Sequence, residues 1–216
     1  MKLVKDPADK TTAVTDIILS LVAIGGVMLL QWSPVNTDNL WRIHIWSTAL
    51  GLMGLAAALG AVAHGLIIKT ITHNRIWRVL NLALALAVSL FVVGVINDLH
   101  SSEVAKSALP FMLAAGLGFY LTTLIYPGVF FLFIVYEGLA LLFSLGAYVF
   151  LSAAGERGAG FMACGVLLSL VAAVLQARKS IFITLIWKFD HNGIYHIVQT
   201  FGLLFLIAGL LGMTIL

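Results

Sequence analysis

The sequence predicts an all-α membrane protein folded as one bundle of seven transmembrane helices. Of its 216 residues, 62% are hydrophobic and only 10% are charged, whereas a soluble domain is about half apolar and about a quarter charged. Seven apolar stretches, each near the roughly 20 residues that a spanning helix requires, are separated by charged and turn-forming residues. Lys and Arg also concentrate on alternate connections between these stretches, as they do in the loops of membrane proteins.

The predicted spans are bounded by the charges and turn residues that flank each apolar stretch. The stretches do not alternate apolar and polar residues as transmembrane β-strands do, so each is assigned as a helix. The spans lie at roughly 13–31, 42–66, 77–97, 107–126, 128–151, 159–177 and 192–215. They form a single domain over residues 1–216.

The positive charges orient this bundle. Nine of the twelve Lys and Arg residues precede span 1 or lie in the connections 2–3 and 6–7: Lys2, Lys5, Lys10, Lys69, Arg75, Arg78, Arg178, Lys179 and Lys188. The connections on the other side hold one each, Arg42, Lys106 and Arg157. Because cytoplasmic loops are enriched in Lys and Arg, the N-terminus is predicted to be cytoplasmic and the C-terminus external. The expected location is the cell (inner) membrane.

Charge and cysteine content narrow the class of partner. The net charge of +3 comes from the predicted cytoplasmic loops, where basic side chains contact anionic headgroups, so no nucleic-acid partner is expected. The single Cys164 lies within span 6, where a thiol acts as a small hydrophobe, and a disulfide framework is excluded. The expected partners are membrane lipids, one of them as a substrate, and the oligomeric state is left open.

Spans 1 and 2 each carry one ionisable residue near the predicted cytoplasmic side. Asp16 lies one turn into the apolar run of span 1. Since an acid in lipid costs roughly 2.5–3.5 kcal/mol, Asp16 is expected to face the bundle interior, unless it serves as a helix N-terminal acid that reaches the headgroups. Span 2 ends with His64 and contains glycines that suit close packing: Gly51, Gly54, Gly60 and Gly65. His64 is therefore placed inside the bundle, as a ligand or as a hydrogen-bonding partner of a neighbouring helix.

Spans 3 to 5 add polar residues at different depths. Asn81 lies just inside span 3, which ends in the polar segment 97–100. Span 4 is predicted to hold Pro110 in its first turn, where proline costs little. Glu137 lies near the middle of span 5, so it is either functional or hydrogen-bonded as a structural acid.

Span 7 opens with the densest polar cluster in the chain. Span 6 ends at Gln176, and the segment 180–189 is expected to lie along the membrane interface. Asn192, His196 and Gln199 follow at i, i+4 and i+7, so they share one face of the helix. Polar groups on one face of a membrane helix are expected to face something other than lipid.

Six polar residues fall at the same predicted cytoplasmic level: Asp16, His64, Asn81, Gln176, Asn192 and His196. Two imidazoles, a carboxylate and carboxamides are credible ligands for a borderline metal such as zinc. An open coordination position on zinc would activate water for hydrolysis.

This pattern resembles the CREST superfamily of seven-span membrane hydrolases, which includes alkaline ceramidases and progestin/adipoQ receptors. Those proteins carry S-x-x-x-H on span 2 and H-x-x-x-H on span 7, whose histidines bind zinc, with an acid near span 1 and an Asp near span 3. Here residues 60–64 read G-A-V-A-H and residues 192–196 read N-G-I-Y-H, so each pattern matches at its last His. Asp16 resembles the acid, and Asn81 stands about where the Asp would.

A closer likeness is to a bacterial-type branch of seven-span proteins. Its members are similar in having T-D in span 1, H-G late in span 2, Q at the end of span 6 and H-N-x-x-Y-H-x-x-Q at the start of span 7. The matching residues are Thr15-Asp16, His64-Gly65, Gln176 and the segment 191–199.

The resemblance implies a zinc-dependent hydrolase of a lipid amide or ester, acting at the cytoplasmic side. It implies that His64, His196 and His191 hold the metal, and that Asp16, Asn81 and Asn192 are catalytic.

The chain departs from the family where Gly60 replaces the Ser and Asn192 replaces a His. His191 as third ligand lies about 140° round the helix from His196, which requires a bent first turn. Asp16 or Asp190 are the alternatives, as in sites with two His and one carboxylate.

Other functions remain open. The protein is alternatively a non-catalytic seven-helix protein, either a lipid or small-molecule receptor or a subunit of a complex. A b-type haem electron carrier would pair His44 with His100 and His64 with His196, but places the haems about 30 Å apart along span 2. An ion-coupled transporter would be built on Glu137.

Overall fold

The computed structural model describes residues 2–33, 40–126, 130–178, 180–184 and 186–213. These residues contain seven helices, each long and apolar enough to cross a membrane. The helices are α1 (Pro7–Trp32), α2 (Leu40–Gly65), α3 (Thr70–Leu99), α4 (Ser102–Ile125), α5 (Phe130–Ala153), α6 (Ala159–Ala177) and α7 (His191–Gly212). The predicted all-α fold of seven helices is confirmed.

Three helices begin five or more residues before the spans read from hydropathy: α1 at Pro7 rather than 13, α3 at Thr70 rather than 77, and α4 at Ser102 rather than 107. Two of these starts are capped, because the Asp6 side chain accepts a hydrogen bond from the amide of Ala8 and the Ser101 hydroxyl accepts one from Val104. Hydropathy marks the apolar segment of a helix, whereas polar caps determine where it starts. The predicted start of span 5 at 128 and end of span 7 at 215 lie outside the described residues.

Pro110 lies in the interior of α4, so its predicted place in the first turn is wrong. The helix begins at Ser102, about two turns before the proline. Because the helix starts early, Pro110 lies where a backbone N–H would otherwise donate an intrahelical hydrogen bond, and the proline removes that bond.

Six helices form a closed ring around the interior. Along the ring α1 packs against α2, α2 against α3, α3 against α5, α5 against α6, α6 against α7, and α7 against α1. Helix α4 lies outside the ring against α3, and only Ala105 and Gly116 of its residues are fully buried. A hydrogen-bonded junction joins α3, α4 and α5, where the Tyr136 hydroxyl lies 2.9 Å from Ser89 Oγ and Ser89 donates to the Met112 carbonyl at 2.7 Å.

The glycines of α2 pack mainly on α1, as the prediction of close packing requires. A Cβ at Gly54 or Gly65 would contact Ala23 or Ala13 of α1, and one at Gly60 would contact Asp16. The prediction is wrong for Gly51, which has no described neighbour within 4 Å of the Cβ position.

We call the end of the bundle where α1, α3 and α7 begin the basic end, because the segments on that side hold most Lys and Arg residues. Two short antiparallel pairs lie there, β1 (Lys2–Leu3) with β2 (Leu66–Ile67) and β3 (Ile183–Thr184) with β4 (Lys188–Phe189). The second pair forms the segment that was expected along the interface. Ile186 and Trp187 between its strands are 86% and 65% exposed, which suits contact with a bilayer surface.

The hydrophobic core fills the half of the bundle away from the basic end. Its largest fully buried side chains include Trp46, Tyr148, Met162 and Leu206. Helices α6 and α7 approach closely in this half, where the backbone of Gly158 lies against that of Gly209. Dense packing at one end leaves the interior space at the other.

Candidate functional site: a polar cavity at the basic end

The start of α7 is fixed to α1 by Asp190. Its Oδ1 accepts hydrogen bonds from the Gly193 amide and the Thr12 hydroxyl, both at 2.8 Å, and its Oδ2 accepts one from Asn192 at 3.3 Å. Asp190 is thus the N-cap of α7, a role that stabilises helices by about 1 kcal/mol. Burial alone would raise the pKa of Asp190, but these hydrogen bonds and the nearby His191 lower it below the ordinary 3.8.

His196 lies one turn further along α7, with both ring nitrogens against α1. Its Nδ1 is 3.2 Å from the Thr15 hydroxyl, and its Nε2 is 3.2 Å from Asp16 Oδ1. His196 and Asp16 are 7% and 3% exposed. An imidazole oriented by a carboxylate in this way is held in place and can exchange a proton with its partner.

Gly60 of α2 makes room for the Asp16 carboxylate. A Cβ built at Gly60 would lie 2.9 Å from both carboxylate oxygens, closer than such atoms approach without displacement. The glycine at the position where the resembling family has Ser therefore has a steric reason: Asp16 occupies that space.

Gln199 continues the same face of α7 toward α6. Its Nε2 donates to Ser169 Oγ at 3.1 Å, and the Ser169 hydroxyl donates to the Gly165 carbonyl at 3.0 Å. Gln199 is 5% exposed, and its Oε1 has no hydrogen-bond partner among the described residues.

Of these side chains, Asp16, His196, Gln199 and Ser169 line a cavity of about 800 Å³ at the basic end of the bundle. All six polar residues that the sequence places at one level lie on its wall: Asp16, His64, Asn81, Gln176, Asn192 and His196. Gln199, Glu137 and His191 also line it. The wall toward the core is apolar, with Leu19, Met53, Phe91, Leu141 and Leu206.

His64 lies on the cavity wall near the end of α2, in contact with Trp77 of α3. Their rings meet edge to face with centroids 5.7 Å apart, and the Trp77 indole donates to His73 Nε2 at 3.1 Å. The position agrees with the expected placement inside the bundle, and it leaves His64 facing the cavity.

The resemblance implies that His64, His196 and His191 meet around one metal ion. The described residues contain no group of three or more His, Cys, Asp or Glu side chains placed to hold a metal ion. Asp190, one alternative third ligand, uses its carboxylate to cap α7, and Asn192 donates to it. His191 is the first residue of α7, and its Nδ1 lacks a described hydrogen-bond partner.

The opposite end of the bundle holds a second buried acid, Asp98. It accepts from Arg42 Nε at 2.6 Å and Nη2 at 3.3 Å, and from the Tyr148 hydroxyl at 2.9 Å. His44 and His100, the proposed ligands of an outer haem, are both exposed.

Sequence reasoning did not identify Thr12 or Ser169 as part of the site. Thr12, Thr15 and Asp16 fall at i, i+3 and i+4, a polar face of α1 that the sequence alone could have indicated. Ser169 carried no such signal, because an isolated Ser in an apolar helix commonly bonds its own helix, as it does to Gly165.

Together these features define a class: a seven-helix bundle of membrane-spanning length with a partly polar internal cavity at one end. Residues 11–215 match the family described as "Family of unknown function (DUF6962)", and the chain belongs to that family. No curated protein and no solved structure matches the chain significantly.

Proposed function

We propose that this protein is an integral membrane protein that binds a lipid-like amphiphile inside its bundle, with the amphiphile's polar end against Asp16, His196 and Gln199. The cavity carries the proposal, since its volume of about 800 Å³ falls within the roughly 300–1,000 Å³ of ligand sites. Buried polar groups converge on one part of an otherwise apolar wall, which is the arrangement that orients an amphiphile.

The proposed orientation places the basic end in the cytoplasm of the cell (inner) membrane. Nine of the twelve Lys and Arg residues belong to segments on that side, and cytoplasmic loops carry such an excess. The cavity would then open toward the cytoplasmic leaflet, where a membrane amphiphile presents its headgroup.

Filling the cavity tests this proposal. Ala140 lines the cavity on α5, whereas Ala58 of α2 is exposed on the outside of the bundle. We expect Ala140→Trp to weaken binding of dodecyl-chain amphiphiles by about tenfold or more, because the indole occupies the space of the chain. Calorimetric titration of detergent-purified protein would measure the affinity.

Ala58→Trp is the matched control, since it adds the same side chain on the outside. It should bind the dodecyl-chain probes with wild-type affinity, once the signal from probe that partitions into detergent micelles is subtracted for every protein. Equal binding by both variants would show that the amphiphile does not occupy the cavity.

A second candidate is the zinc-dependent hydrolase of lipid amides or esters that the resemblance implies. The contact between Asp16 and His196, with His64 on the same cavity wall, favours it. Because Thr15 and Asp16 engage both ring nitrogens of His196, zinc binding would require His196 to release one of these contacts.

Metal content separates the two candidates. For the hydrolase, mass spectrometry of protein purified without chelators should give about one zinc per chain, lost in both His64→Ala and His196→Ala. Wild-type protein without zinc would exclude the hydrolase and leave amphiphile binding as the function.

A further inference from the structure

Two buried acceptor atoms on the cavity wall have no hydrogen-bond donor. Within the described part of the chain, Asp16 Oδ2 and Gln199 Oε1 are buried without a partner. Their side chains are 3% and 5% exposed, and both line the cavity. Buried polar atoms are almost always paired in folded proteins, so these two atoms indicate a missing ligand group.

The hydrogen bonds around Gln199 determine which of its atoms faces the ligand. The Ser169 hydroxyl donates its proton to the Gly165 carbonyl, so Ser169 Oγ can only accept from Gln199. The amide nitrogen of Gln199 therefore points to Ser169. Its oxygen, which is only an acceptor, is the atom left for a ligand.

Asp16 offers an acceptor of the same kind. Its Oδ1 lies against His196 Nε2, and its Oδ2 is the unpartnered atom. The Thr15 hydroxyl donates to the Thr12 carbonyl, so His196 Nδ1 donates to Thr15. Asp16 Oδ2 is then an acceptor whether the proton between the two side chains lies on His196 Nε2 or on Asp16 Oδ1. Asp16 and Gln199 thus contribute two acceptors to residues that line the same cavity.

The groups around these acceptors favour a hydrogen-bond donor over an anion. Glu137 adds a second carboxyl group to the same cavity. Arg78 is the one Lys or Arg among the described lining residues, and it is exposed. A carboxylate or phosphate headgroup would place acceptor oxygens against two unpartnered acceptors and two carboxyl groups, and the described lining residues include no buried Lys or Arg to bind it.

We propose that the cavity selects amphiphiles whose polar end is a primary ammonium group, which donates hydrogen bonds to Asp16 Oδ2 and Gln199 Oε1. This inference rests on the proposed amphiphile binding and names its ligand class. Hydrogen bonds between a cationic donor and a carboxylate are shorter and stronger than neutral ones. The alkyl chain of the ligand lies along the apolar wall.

Four probes with the same chain test the inference: dodecylammonium, dodecyltrimethylammonium, dodecanol and dodecanoate, each titrated into wild-type protein at neutral pH. We expect dodecylammonium to bind about tenfold more tightly than any of the others. The trimethyl probe keeps the charge but has no N–H donor, so it separates hydrogen bonding from charge.

Asp16→Asn should reduce the preference for dodecylammonium over dodecanol to about threefold or less. Glu156→Gln makes the same change from acid to amide at an exposed residue outside the cavity lining, so it is the control and should keep the wild-type preference. If all four probes bind equally, or if dodecanoate binds best, the proposed preference for ammonium is wrong but the proposed amphiphile binding stands. If no probe binds, both proposals are wrong. These outcomes are read from the wild-type protein, so they hold even if a variant does not fold.

Discussion

The two ends of the bundle each bury an aspartate in opposite ways. Asp98 accepts hydrogen bonds from Nε and Nη2 of Arg42 and from the Tyr148 hydroxyl, so protein groups match its charge and its oxygens. Among the described residues, Asp16 has a polar partner, His196, at one carboxylate oxygen, and its other oxygen is buried without one. A buried acid whose partners are all supplied by the fold holds helices together, whereas one left half-matched is available to a ligand.

The two ends of the bundle also differ in how densely their interiors are packed. Around Asp98 the interior is filled by Trp46, Tyr148 and Met162, each almost fully buried. Around Asp16 the interior is open, and even Glu137 in α5 keeps surface exposed to the cavity. The end away from the basic end is thus the densely packed one, and the basic end holds the space that the proposed binding requires.

The largest expected effect is on stability, and it should differ between substitutions of Asp98 and Asp16. Asp98→Asn should lower the free energy of unfolding by about 3–5 kcal/mol, because the buried charge of Arg42 then lacks the Asp98 carboxylate. Asp16→Asn, a change of the same shape, should cost much less, because it removes a single contact. Thermal and denaturant unfolding in detergent would measure both.

The double variant Arg42→Met with Asp98→Asn provides the control. Removing both charges together should cost less than the sum of the single substitutions, since no buried charge is left unmatched. Equal destabilisation by Asp16→Asn and Asp98→Asn would contradict the division between the two ends.

A smaller effect is expected at the glycines of α2. Gly60→Ala places a Cβ at 2.9 Å from both Asp16 oxygens, so the carboxylate should be displaced. We expect the free energy of unfolding to fall by about 1–3 kcal/mol and amphiphile binding to weaken. Gly51→Ala meets no described atom within 4 Å and should stabilise the helix by up to about 1 kcal/mol. A Gly60→Ala protein with unchanged stability and binding would show that Asp16 does not depend on this space.

The smallest effect concerns the cap of α7 and its dependence on pH. The folded pKa of Asp190 is lowered below 3.8, so its stabilising contribution is fully present above that pH and is lost as the pH falls through the lower folded value. Asp190→Ala should cost about 0.5–2 kcal/mol at neutral pH. Asp6→Ala, at the exposed cap of α1, should cost less.

The difference in unfolding free energy between wild type and Asp190→Ala should therefore narrow as the pH is lowered below about 4. A difference that stays constant from pH 7 to pH 3 would mean that the ionised carboxylate does not hold the cap.

The sequence determined the seven helices and the level at which the polar residues gather, because both depend on distance along the chain. Apolar length defines a spanning helix, and a fixed rise per residue gives Asp16, His64 and His196 similar depths. It did not determine the first turns, since α3 starts seven residues before the apolar segment, at Thr70 rather than 77.

Only the tertiary structure decided which polar groups meet. That depends on how each helix is rotated and how closely it approaches its neighbours, which side chains on several helices determine together. Thus Asp190 caps α7, Ser169 of α6 orients Gln199, and Gly60 makes room for Asp16. The two unmatched acceptors on the cavity wall follow from these contacts between helices, and no spacing within one helix could have revealed them.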